Sequence, residues 1–229
     1  MRSERQLDSL SNIGRCGLDI EYVRPDQIEK RSFEIISEEL ERSGITLPED
    51  RDFIIKRAIH TTADFDYAKT LYFSENAVEK ALELIKNGAS IVTDTNMALS
   101  GINKKVLASY GGSAYCFMAD EDVVNKAKAD GSTRAAASMD KARDIGGDVI
   151  FVIGNAPTAL IKLREMFDEG VYRPAFVIGV PVGFVNVEAG KELIIDTDIP
   201  CIVNRGRKGG SNVAAAICNA LLYKLRDEI

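Results

Sequence analysis

Apolar residues recur at helical spacing through the first third of the chain. From residue 25 to about 44, Ile28, Ile35, Ile36 and Leu40 share one stripe; Pro25 suits a first helical turn and Gly44 a stop. Ser32 lies on that same stripe. A second helix is expected to start near Pro48-Glu49-Asp50 and to carry Phe53, Arg57 and His60 at i, i+4 and i+7, which puts a cation and an imidazole on one face. A third is expected from Ser74, a good N-cap residue, with Val78, Ala81, Leu82 and Ile85 at helical spacing before Gly88.

Beyond this the pattern changes to short apolar runs separated by helix-length stretches. Residues 89–93, 114–117, 149–153, 175–178 and 200–203 read as five buried parallel strands. Crossover helices between such strands cover both sheet faces, so the expected fold is α/β, a three-layer α/β/α sandwich with a mainly parallel central sheet. No internal repeat or Pro/Ser-rich linker interrupts residues 1–229, which are read as one domain with 1–24 as an N-terminal arm.

Composition narrows the function classes. With 45% hydrophobic and 28% charged residues the chain can bury a substantial core. Its 29 Lys plus Arg against 35 Asp plus Glu give a net charge of -6, which argues against general affinity for nucleic acid or anionic membrane surfaces, so an anionic ligand must be held by local groups. The charged start Met1-Arg2-Ser3-Glu4 leads into no apolar run, and no stretch approaches the ~20 apolar residues of a membrane span. Cys16, Cys116, Cys201 and Cys218 are scattered, signalling neither a disulfide framework nor a zinc site. A cytoplasmic location and no bound metal are expected.

In open parallel sheets ligands bind beyond the carboxyl ends of the strands. Directly after the expected strands stand Asp94-Thr95-Asn96, Gly154-Asn155-Ala156-Pro157-Thr158, Pro181-Val182-Gly183-Phe184-Val185-Asn186, and the run 205–212, which joins Arg205, Arg207 and Lys208 to Gly206, Gly209 and Gly210. That last run precedes a helix expected over 213–225, so N–H groups, helix dipole and side-chain charge could meet one anion. Taken alone it reads equally as a solvated turn, and it is not a P-loop. Residues 154–158 offer a second helix start to an anion, although capping alone would explain them. Arg134, just after Gly131-Ser132-Thr133, stands where a helix dipole disfavours a cation unless a negative partner faces it; taken alone it reads as an exposed arginine.

His60 is the only histidine, hence the only side chain whose ordinary pKa lies near neutrality, and the leading candidate for acid–base chemistry. A lone histidine is commonly just a core or surface residue. Here Arg57 shares its helix face, and Thr61, Thr62, Asp64 and Asp66 follow at once. One histidine with scattered carboxylates gives no metal-ligand spacing.

Arg31-Ser32-Phe33, Arg57-Ala58-Ile59-His60, Asp94-Thr95-Asn96-Met97, Thr133-Arg134, Gly154-Asn155-Ala156-Pro157-Thr158-Ala159-Leu160, Pro181-Val182-Gly183-Phe184-Val185 and Gly206-Arg207-Lys208-Gly209-Gly210-Ser211 together resemble, in order, the motifs of the precorrin-8X methylmutases. The resemblance runs from about residue 25 to 225. It implies a homodimeric α/β isomerase of cobalamin biosynthesis that moves the C-11 methyl of precorrin-8 or cobalt-precorrin-8 to C-12. It makes His60 the proton donor and acceptor and brings Ser32 and Arg57 to the substrate. Arg134 and Arg207 become partners for the ring's acetates and propionates; Asn155 and Thr158 join them by loop position. A methyl shift within a conjugated ring calls for a held tautomer and a delivered proton, so no cofactor is expected. Where the family often has Glu-Ser-Lys after the Pro181–Val185 loop this chain has Glu188-Ala189-Gly190-Lys191, and no substrate contact is assigned there. The rival reading is a corrinoid carrier that keeps the cleft without turnover. A nucleotide-binding protein is disfavoured because neither a dinucleotide-binding Gly-x-Gly-x-x-Gly nor a P-loop is present.

Overall fold

The structure, a computed structural model, describes residues 20–226. Most of the expected N-terminal arm, residues 1–19, lies outside them. A 3-10 turn at Pro25–Gln27 leads into α1 (Ile28–Arg42), then come α2 (Asp52–Thr62), the short α3 (Tyr67–Thr70), β1 (Leu71–Phe73) and α4 (Ala77–Lys86). From here strands and helices alternate: β2 (Ser90–Thr93), α5 (Asn96–Gly101), α6 (Lys104–Ser109), β3 (Ala114–Tyr115), α7 (Glu121–Ala129), α8 (Arg134–Ala142), β4 (Val149–Ile153), α9 (Pro157–Asp168), β5 (Phe176–Gly179), α10 (Val187–Ile195), β6 (Cys201–Asn204) and α11 (Ser211–Arg226).

The sheet order is β1-β6-β5-β4-β2-β3, parallel except for β1. Because side chains alternate across a strand, each strand feeds two cores. Ile91, Ile150, Val152, Phe176, Ile178 and Ile202 pack with α1, α2, α4 and α11, whereas Val92, Phe151, Ile153, Val177, Cys201 and Val203 pack with α8, α9 and α10. Burial on both faces explains why these strands read as unbroken apolar runs. The three-layer α/β/α sandwich read from the sequence is the architecture observed.

Two local expectations are corrected. The sheet has a sixth strand, β1, which runs antiparallel along the β6 edge with Leu71 opposite Asn204 and Phe73 opposite Ile202. Three half-buried residues directly after a one-turn helix are too few to show a period of two. Ser74 does not cap α4. The N-cap is Asn76, in the left-handed region at φ 53°, and the Ser74 hydroxyl instead accepts the Cys201 N–H at 2.9 Å, fastening the end of β1 to β6.

Elsewhere the helix starts follow capping chemistry. Thr95 Oγ1 accepts the Ala98 N–H at 3.1 Å, Thr133 Oγ1 accepts that of Ala136 at 3.1 Å, and Pro157 occupies the first turn of α9. α11 lies almost wholly inside the molecule, buried from Val213 through Leu222 on most of its faces, and packs on α2. It therefore carries its first turn to the carboxyl ends of the strands.

Candidate functional site

α2 ends in a left-handed cap at Ala63, whose N–H bonds the Ile59 carbonyl at 2.7 Å. His60 and Arg57 stand one turn apart just before that cap and share a cavity of about 390 Å3 with Met97 of α5 and Asn212, Asn219 and Tyr223 of α11. Phe33 of α1 stacks on the His60 ring, centroids 5.3 Å apart and planes 16° apart. The Arg57 guanidinium lies over Phe33 at 4.7 Å and over Tyr223 at 5.5 Å and bonds the Glu29 carboxylate. Neither imidazole nitrogen has a hydrogen-bond partner among the described residues. Ser32 is next to Phe33, and its hydroxyl donates back to the Ile28 carbonyl at 2.9 Å.

The carboxyl end of β2 supplies Asp94, fully buried, whose carboxylate accepts the N–H groups of Gly154 (2.8 Å), Asn155 (2.8 Å) and Ala156 (2.6 Å). Burial pushes this carboxyl above the ordinary aspartate range, and the N–H bonds oppose that push. The start of α9 is thus not open to an outside anion through these amides, as the sequence suggested; the chain's own carboxylate occupies them. Next door, Thr95 Oγ1 and Ser211 Oγ lie 2.8 Å apart, and Gly154 sits so close that an added Cβ would fall 2.6 Å from Ser211 Cα. Thr158 Oγ1 meets Thr133 Oγ1 at 2.8 Å. Contacts therefore link Ser211, next to Asn212 of the His60 cavity, to Thr95 and Gly154, whereas Thr133 and Thr158 line a separate pocket with Asp140, Lys162 and Glu165. Asn155 and Arg134 are exposed, their side chains unpartnered among the described residues.

The glycine-rich loop departs further from expectation, because its three cations do not converge. Arg205 pairs with Glu192 at 2.7 Å and covers the Tyr72 ring; Lys208 bonds Asp64 and Asp66, each at 2.6 Å. Asp64 is held below the usual carboxylate range by the Lys208 ammonium. Arg207 alone is loosely held, 3.5 Å from Glu188 and over the exposed Phe184 ring. From α10, Lys191 reaches under the loop, fully buried, and donates to the carbonyls of Gly206 (2.6 Å) and Lys208 (2.8 Å). Burial lowers its pKa to about 8. The loop also locks to its neighbour after β5: the Gly210 N–H bonds the Val180 carbonyl at 2.9 Å, and a Cβ on Gly209 would lie 2.1 Å from that oxygen.

Of the site residues expected from sequence, His60 and Arg57 are brought together, with Ser32 one position from the ring that touches both. Thr158 lies in a separate pocket against Thr133, Asn155 and Arg134 are exposed near the start of α9 and at the start of α8 without joining the His60 cavity, and Arg207 projects from the glycine-rich loop. Sequence reasoning missed the roles of Phe33, Tyr223, Asp94 and Lys191. Lys191 left a readable signal: it falls on the buried stripe of Val187, Gly190 and Ile194, where a lysine needs a reason.

Fold and site define an α/β protein whose polar groups gather beyond the carboxyl edge of a mainly parallel sheet. The sequence profile described as precorrin-8X methylmutase matches residues 27–224, and the chain belongs to that family of isomerases. It is 46% identical over 214 residues to a cobalt-precorrin-8 methylmutase of Salmonella typhimurium, covering 90% of this chain and 99% of the relative. It is 42% identical to one from Leptospira interrogans, covering 85% and 91%. The solved precorrin-8X methylmutase of Thermus thermophilus superposes with a TM-score of 0.79 at 36% identity, covering 88% of this chain and 98% of that one. Among the described residues no helix is long and apolar enough to cross a membrane.

Proposed function

We propose that this chain, as a cytoplasmic homodimer, isomerises precorrin-8 or cobalt-precorrin-8 by moving the C-11 methyl to C-12, giving hydrogenobyrinate or cobyrinate. The names of its relatives support the substrate class. The observation that carries the chemistry is His60: the sole histidine, with both ring nitrogens unpartnered among the described residues, lines an open cavity beside Arg57.

His60 lends a proton to the conjugated ring system, the C-11 to methyl bond breaks as the C-12 to methyl bond forms, and the proton returns to the imidazole. The composition of the macrocycle is unchanged, so no electron donor or acceptor enters. Arg57, flanked by Phe33 and Tyr223, presents a planar charge to a ring carboxylate, and Ser32 contacts substrate beside it. Arg134, Asn155 and Thr158, outside the His60 cavity, receive further carboxylates of the macrocycle, and Arg207 leaves Glu188 for one on the loop side. Spreading single cations around a broad cleft lets a net-acidic protein hold a polycarboxylate.

The test is the absorption spectrum of precorrin-8, and separately cobalt-precorrin-8, mixed with wild-type protein or His60→Ala. The methyl shift changes ring conjugation, so wild type is expected to convert at least one substrate spectrum to that of product, and His60→Ala to bind without conversion. A bound but unchanged spectrum with wild type on both substrates would replace the isomerase by the carrier reading.

A further inference from the structure

Catalytic histidines are ordinarily aimed by a hydrogen bond from one ring nitrogen to a carboxylate or carbonyl. His60 has no such bond among the described residues. What touches its ring is the face of Phe33, at 5.3 Å and nearly parallel. We propose that Phe33 is the positioning residue for His60; this rests on His60 being the acid–base group proposed above.

A stacked neighbour restricts rotation of the imidazole about its side-chain torsions while occupying only a face. Both nitrogens lie in the ring plane and stay free at the edge, so the ring can hand over and take back a proton without first breaking a hydrogen bond. Phe33 is itself well held. It is partly buried on α1, and the Arg57 guanidinium lies over it at 4.7 Å. Arg57 in turn is tied to Glu29 of the same helix and covers Tyr223 of α11. α1 thus supplies, four residues apart, the carboxylate that holds the arginine and the ring that aims the histidine. Phe33 is also within one residue of Ser32, so any shift of α1 would move both a substrate contact and the orientation of His60.

Misplacing a reacting group by about 1 Å can cost on the order of 100-fold in rate. Phe33→Leu, which keeps apolar bulk and removes the flat face, is expected to lower kcat roughly 10- to 100-fold while KM changes by less than about threefold. Phe33→Tyr, which restores the face, is expected to recover most of that loss. Because His60 is the only histidine, its imidazole gives a single set of NMR signals. Those signals are expected to be displaced upfield by the Phe33 ring current in wild type and Phe33→Tyr, and to return toward free-imidazole positions in Phe33→Leu. Absence of the displacement in wild type overturns the proposal, as does a Phe33→Leu protein that loses it yet keeps its kcat, or that raises KM alone. If Phe33→Leu fails to fold, the wild-type spectrum and the activity of Phe33→Tyr decide on the same terms. Full turnover by His60→Ala would instead strike the acid–base role of His60, a failure distinguishable from that of Phe33.

Discussion

Asp94 shows how much of this site rests on one carboxylate. Its two oxygens accept three backbone N–H groups from residues some 60 positions later in the chain, joining the end of β2 to the end of β4 and the start of α9. An asparagine has the same shape but only one acceptor oxygen, and its amide would turn N–H groups toward the Ala156 or Gly154 donor. Asp94→Asn therefore leaves a buried donor unsatisfied and is expected to cost about 1–3 kcal/mol, read as a lower urea midpoint at unchanged slope. The sequence marked Asp94-Thr95-Asn96 as unusual from its place after a strand, but not what the carboxylate does, because its partners are distant in sequence and are backbone groups common to every residue. His60 and Arg57 were legible for the opposite reason: they share one helix face, where spacing alone sets proximity. Phe33 and Tyr223, which complete that cluster, come from two other helices.

The loop between β6 and α11 gains its shape from elements other than its own. Lys191 of α10 holds two of its carbonyls, Lys208 ties it to the Asp64 and Asp66 turn after α2, and Val180 takes its Gly210 N–H. The Lys191 pKa, lowered by burial from 10.5 to about 8, sets a pH dependence whose sign follows from proton counts. Between about 8 and 10.5 the unfolded chain binds more protons at this position than the folded one, so its contribution to stability rises with pH across that window; below it the full desolvation cost persists. Lys191→Met is expected to remove that rise, on the order of 3 kcal/mol, as a difference between wild-type and variant unfolding free energies measured across the window. The variant also loosens the loop, so binding through Arg207 weakens. Elements were more legible than such ties. The run at 149–153 coincides with β4, and those at 175–178 and 200–203 sit one residue early, Pro200 entering the ladder only through its carbonyl to Val177. β1 escaped because an edge strand of three residues, half-buried on both faces, carries no pattern to read.

At the scale of the whole molecule, a net charge of -6 would face the polycarboxylate proposed as substrate, so affinity for it depends on which cations are free when the ligand arrives. Arg205 and Lys208 are tied to close carboxylates, whereas Arg134 has no partner among the described residues and Arg207 has only a loose one. A product bound to the folded state and not to the unfolded chain stabilises it by about 2.7 kcal/mol at a hundred times its Kd. For a chain of this size that corresponds to a rise in Tm of roughly 5–10 °C. Cobyrinate added to wild type is expected to give such a rise, Arg134→Ala with Arg207→Ala to lose most of it, and His60→Ala to keep it while losing turnover. That last pair of results separates binding from chemistry in one protein. Were His60→Ala to lose the thermal shift as well, His60 would be part of the grip on the macrocycle, and the proton would have to come from elsewhere in the cleft.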